Sequence, residues 1–133
     1  MKITRIVVHC SDTPNGRETS AEDIHRWHLE QGWDGIGYHK LVKLDGEIEA
    51  GRPVYWQGAH ADPFNKDSIG ICLVGRDEFN ADQMRALEGL VLSYKAEYPD
   101  AQVLGHCDLN PAKTCPNFDV KAWWKKAESR GLD

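Results

Sequence analysis

Apolar residues recur along this chain in two rhythms, and the order of those rhythms predicts the fold. Residues 3–9, ITRIVVH, are rich in β-branched side chains and read as a strand closed by the turn-forming SDTPNG. A helical period follows. Ala21, Ile24, Trp27 and His28 share one helical face. Thr19 and Ser20, with Glu22 and Asp23 three residues on, supply a start signature, and the helix runs to about Gln31 before Gly32 stops it. The stretch GYHKLVKLDGEIEAGRP predicts a hairpin turning at Asp45-Gly46.

A looser segment from Pro53 to Lys66 holds Trp56, His60 and Phe64. SIGICLVG (68–75) is almost continuously apolar, which predicts a central strand buried on both faces. Asn80 with Gln83 opens a long helix whose Met84, Leu87, Leu90, Val91 and Tyr94 lie on one side, and Pro99 marks its end. A short strand at 102–104 leads into the loop GHCDLNPAKTCPN, and a last helix carries Val120, Trp123, Trp124 and Ala127. Strands alternating with helices, plus one antiparallel hairpin, predict an α/β fold with a mixed central β-sheet flanked by α-helices. No repeat, low-complexity tract or linker divides the chain, so 1–133 reads as one domain.

Composition and charge remove several function classes. The net charge is −5 and the basic residues are scattered, without the stripe that nucleic-acid binders use against phosphates. No apolar run approaches the ~20 residues of a membrane span. The run at the N-terminus, Ile6 to Val8, is too short for a signal-peptide core, so a cytoplasmic location is expected until the protein is released. In that compartment Cys10, Cys72, Cys107 and Cys115 are expected to be free thiols.

The candidate chemistry begins with His9, at the C-terminal end of the first strand, where open α/β sheets place ligands and catalytic groups. His106 follows another short strand, and Cys115 lies nine residues on, in a loop stiffened by Pro111 and Pro116. Two imidazoles and a thiolate form a suitable set for a catalytic zinc, which needs three protein ligands and a fourth position for water. Spacing alone leaves other readings open: His9 as a hydrogen-bonding cap of the sheet edge, Cys115 as a buried inert thiol.

The stretches VVHCSDT (7–13), RWHLEQGW (26–33), GYHKLVKLDGEIEAGR (37–52), HADPFNKDSIGICLVG (60–75) and GHCDLNPAKTCPNFDVKAWW (105–124) resemble, in register and in order, the zinc N-acetylmuramoyl-L-alanine amidases of the phage T-seven lysozyme type, relatives of the peptidoglycan recognition proteins. The resemblance implies Zn2+ held by His9, His106 and Cys115, catalytic roles for Tyr38 and Lys113, and a place for His60 near the substrate groove. The implied reaction is cleavage of the amide between N-acetylmuramic acid and L-alanine of peptidoglycan, by a phage or prophage endolysin.

This chain departs from many bacterial relatives at SIGIEL: Cys72 stands where they carry Glu, so no carboxylate base comes from that position. The phage protein that gives the type its name has a second role, restraining a phage RNA polymerase. That protein also has a longer N-terminal tail, whereas only eight residues precede His9 here, so polymerase binding is not expected. The alternative is a non-catalytic peptidoglycan-binding module on the same fold, but such relatives typically lose the cysteine ligand. A glycan-cleaving reading needs two facing carboxylates, and no such pair stands out. His28 reads as a hydrogen-bonded core histidine, His25 as surface, and His39 as facing away from Tyr38. Asp108 is a candidate support for the ligand loop, and Trp33, Trp56 and Phe64 are candidate groove aromatics.

Overall fold

Every residue of strand β4 (Ser68–Leu73) is buried. In the computed structural model, which describes residues 2–131, β4 is the middle strand of five. The order is β3-β2-β4-β1-β5, with β1 at Arg5–Cys10, β2 at Lys40–Val42, β3 at Ile48–Ala50 and β5 at Gln102–Gly105. Strand β4 runs parallel to β1 and β2, and β5 runs parallel to β1. Strands β2 and β3 form the antiparallel hairpin. An interior parallel strand meets side chains on both faces, which is why SIGICL shows no alternation. The mixed α/β sheet flanked by helices is therefore the one the sequence predicts.

The helices start where the capping residues place them. Ser20 caps α1 (Ala21–Glu30): its hydroxyl accepts from Asp23 N at 3.1 Å, and the Asp23 carboxylate accepts from Ser20 N at 3.0 Å. Asn80 and Gln83 repeat the arrangement at the head of α2 (Ala81–Glu97). Gln83 is buried, and its amide also donates to the Val74 carbonyl at 2.8 Å, tying α2 to the end of β4. The segment expected to be all loop after β5 instead opens with one helical turn, α3 (His106–Leu109). Four residues are too few to display a hydrophobic period. The last helix, α4, covers Val120–Gly131.

The sheet is dressed unequally. On one face Ile6, Val8, Ile69, Ile71, Leu73 and Val103 pack against Leu87, Val91 and Tyr94 of α2 and Val120, Trp124 and Ala127 of α4. On the other face Leu41, Cys72 and Val74 meet Ile24 of α1, with Ile36 beside them. Because strand residues alternate between faces, His9 points to the side that only α1 covers. The ground beside α1, over the end of β1, is left for a cleft.

Leu87 is fully buried between α2 and the sheet. Leu87→Ala is expected to cost about 2–5 kcal/mol of folding stability, and Asn80→Ala about 1 kcal/mol through the lost cap. Urea unfolding monitored by circular dichroism measures both. A larger loss for the cap than for the core leucine would contradict this packing order.

Candidate active site and metal centre

The register of the sheet assembles the site. Val8 of β1 pairs with Gly105 of β5, so the next residues, His9 and His106, emerge side by side. Their rings lie 4.6 Å apart, centroid to centroid. Cys115 is brought back to them by two backbone contacts: Cys107 N donates to the Cys115 carbonyl at 2.9 Å, and Cys10 N donates to Cys115 Sγ at 3.0 Å. Asp108, the candidate loop support, accepts from Gly105 N at 2.9 Å and so pins the first turn of that loop.

One donor atom from each of His9, His106 and Cys115 lies within 4.8 Å of the other two, the only such group found among the described residues. Ligands bound tetrahedrally at zinc distances stand roughly 3.3–3.8 Å from one another, so small side-chain adjustments let this set hold the ion. The donor chemistry fits zinc as well: two imidazoles and one sulfur are ligands it favours.

These residues line a cleft of about 760 Å³, shared with Tyr38, His60 and Lys113. The Tyr38 ring stands 5.1 Å from the His9 ring. Lys113 is exposed on the rim. His60 is buried, and its ring bonds to both His9 and Ser68. Trp33 also lines the cleft, its ring tilted against that of His28 with centroids 4.4 Å apart. Trp56 instead lines a separate hollow with Arg52, and Phe64 lies under the Arg5 guanidinium. His28 accepts from Gly37 N at 3.0 Å, as a core histidine should, and His25 is exposed while accepting from Ile36 N.

His39, read from the sequence as structural, is fully buried and bonds main chain through both ring nitrogens. Strand β2 begins one residue later, at Lys40. The His39 ring lies 5.7 Å from that of His60, accepts from Gly70 N and bonds the Trp56 carbonyl. The sequence reading missed Ser68, Asn65 and the main chain of Cys10 as supports. A buried serine opening an apolar strand was the one local signal available.

Burial sets the protonation of these groups. It holds His9 well below the ordinary imidazole value of 6.5, helped by the His60 and His106 rings. Burial, then His39 and His106, pushes His60 down to about 3. His106 is lowered by burial and by the Lys113 charge. Burial raises Tyr38 well above 10, with neighbouring thiols adding to the effect, so its hydroxyl stays a hydrogen-bond donor. The Cys10 thiol and burial push the Cys115 thiol up. A divalent cation works in the opposite direction, because a coordinated thiol loses its proton.

Comparison with known proteins accords with this chemistry. The sequence profile of the N-acetylmuramoyl-L-alanine amidases matches residues 1–118. The chain belongs to this amidase family. The endolysin of Escherichia phage T7 is 42% identical over 131 residues, covering 92% of this amidase and 86% of that protein. Peptidoglycan-recognition protein LB of Drosophila melanogaster is 41% identical over 125 residues, covering 86% of this chain and 53% of that one. Among solved structures, the N-acetylmuramoyl-L-alanine amidase LysC from Clostridium intestinale URNW superimposes with a TM-score of 0.84 at 26% identity, covering 97% of this amidase and 85% of that chain.

The buried histidines give the amidase a pH signature. Below about pH 6.5 the unfolded chain takes up protons that buried His9 and His60 refuse when folded. Stability that is complete above that pH is lost as pH falls, and for His60 the window extends down to about pH 3. Each such ring contributes a slope of about 1.4 kcal/mol per pH unit. The urea midpoint of metal-free protein is expected to fall steadily from pH 7 to pH 5. A flat midpoint over that range would contradict the neutral, buried assignment.

Proposed function

We propose that the cleft holds one zinc ion on His9, His106 and Cys115 and hydrolyses the amide between N-acetylmuramic acid and L-alanine of peptidoglycan, as a phage or prophage endolysin. The observation that carries the reading is the gathering of those three donors beside Tyr38 and Lys113 in one cleft, in a chain that belongs to the amidase family. When bound, zinc lowers the pKa of its water toward ~7 and polarises the substrate carbonyl.

The chain's own groups supply the rest. As the amide carbon becomes tetrahedral, negative charge develops on its oxygen. Tyr38, kept protonated by burial, donates its hydroxyl toward that charge. Lys113, exposed among the residues that line the cleft, offers its ammonium to the same charge. No carboxylate base comes from the central-strand position where many bacterial relatives carry Glu: Cys72 there is buried, and its thiol is raised well above its ordinary value by burial. With the oxygen of one water added to the amide carbon and a proton from that water passed to the alanine nitrogen, the C–N bond breaks, leaving the lactyl carboxylate on the sugar and a peptide with a free N-terminal alanine.

A non-catalytic peptidoglycan-binding module is the second reading, and the retained Cys115 beside both histidines weighs against it. No helix among the described residues is long and apolar enough to cross a membrane. Release to the cell wall from the cytoplasm belongs to the proposal. Nucleic acid, membrane and polymerase do not enter it.

Mass spectrometry of digested peptidoglycan, before and after chelation, tests the function. Alanine-ended stem peptides that disappear on chelation and return with zinc are expected; new reducing sugar ends in their place would refute the amidase reading. Cys115→Ser is expected to lose most bound zinc and activity. Lys113→Ala should keep its zinc but turn over about 10²–10³-fold more slowly. An undiminished rate in the lysine variant would overturn the oxyanion role.

A further inference from the structure

His60 reaches the cleft floor from the irregular segment before β4 and has both ring nitrogens engaged. Its Nδ1 lies 2.9 Å from His9 Nε2, and its Nε2 lies 3.1 Å from Ser68 Oγ. We infer that His60 is a positioning residue for the metal centre: it accepts the Nε2 proton of His9 and thereby holds His9 in the tautomer whose Nδ1 is free for the cation. The inference rests on the zinc site proposed above and deepens it. It also replaces the groove contact expected of His60, since neither ring nitrogen remains for substrate.

The proton count decides the direction. A neutral imidazole has one N–H and one bare nitrogen, and a ligand nitrogen must be bare. His9 Nε2 faces another ring nitrogen, so one proton lies between the two. If His60 supplied it, the proton of neutral His9 would sit on Nδ1, and both His9 nitrogens would be closed to metal. If His9 supplies it, His9 Nδ1 is open. His60 then carries its own proton on Nε2, and the Ser68 hydroxyl accepts it. Only the second arrangement is compatible with His9 as a ligand, and Ser68 completes it.

The surroundings are built for this ring. A Cβ on Gly70, in the middle of β4, would lie 2.6 Å from the His60 ring, and one on Gly58 equally close. Both positions are therefore kept bare where the imidazole lies. Asn65 Oδ1 accepts from His60 N at 2.9 Å and from Ala61 N at 2.8 Å, fixing the main chain below the ring. His39 accepts the N–H of Gly70 at 3.0 Å and so fixes the strand beneath the ring. Any buried imidazole needs partners for its nitrogens; what sets His60 apart is that one of its partners is the ring of His9. Partners that orient a ligand histidine and fix its tautomer typically change metal affinity by about 10–100-fold when removed.

The test reads tautomer and affinity separately. Long-range proton–nitrogen NMR of 15N-labelled protein, with chelator and then with zinc, assigns the protonated nitrogen of His9 and His60. Competition against a zinc chelator gives the dissociation constant of wild type, His60→Leu and His60→Asn. In the zinc-loaded protein His9 is expected to carry its proton on Nε2, and His60 likewise. His60→Leu should bind zinc about 10–100-fold more weakly. His60→Asn, whose amide oxygen stands in for Nδ1 as acceptor, should recover most of that loss.

Three results would each overturn the inference: a His9 proton on Nδ1, unweakened zinc binding in the leucine variant, or an asparagine variant no better than leucine. If thermal melting shows the leucine variant unfolded, the wild-type spectra and the asparagine variant decide. Wild type that binds no zinc removes the metal site itself, and this inference with it. Zinc bound with the other tautomer removes this inference alone.

Discussion

The parallel pairing of β1 with β5 is the constraint from which the site follows. Its register sets Val8 beside Gly105 and so delivers His9 and His106 to neighbouring positions at the end of the sheet. The pairing is held from behind by Ile6, Val8 and Val103, all packed under α2 and α4. A slip of one residue would turn His9 into that core and bring Val8 to the cleft, because strand side chains alternate between faces. Core packing and the geometry of the candidate donor set are in this sense one requirement. The third donor depends on the same strand end, since it is the Cys10 main chain that meets the Cys115 sulfur.

Unequal covering of the sheet makes the pairing useful. Two helices bury one face, whereas α1 alone packs on the other, leaving the end of β1 beside it open to a cleft. Imidazoles crowded on that partly covered face lose hydration and repel one another's protons, so His9 and His60 stay neutral. Neutral rings are what a metal requires. Stability at low pH is given up for a site that resists protonation, a common exchange where function needs buried polar groups.

Much of this was legible in the sequence, for physical reasons that differ by element. The capping boxes at Ser20 and Asn80 and the turn at Asp45-Gly46 are local chemistry, and all three stand where the chain places them. The unbroken apolar run of SIGICL announced a central strand because burial on both faces erases alternation. His9, His106 and Cys115 were readable as candidates from strand ends and loop residues, and the family resemblance singled them out. The one-turn helix α3 was not readable, because four residues carry no period.

The histidine-on-histidine support was equally hidden. His9 and His60 are 51 positions apart, and nothing local marks their meeting. Long-range side-chain pairing of this kind is set by the tertiary arrangement of loops, to which sequence periodicity is blind.

X-ray absorption at the zinc edge on stoichiometrically loaded protein tests the central claim most directly. The account predicts one sulfur at ~2.3 Å and two imidazole nitrogens at ~2.0 Å, with one lighter ligand completing the shell. A shell of nitrogen and oxygen without sulfur, or a protein that takes up far less than one equivalent of zinc, would contradict it.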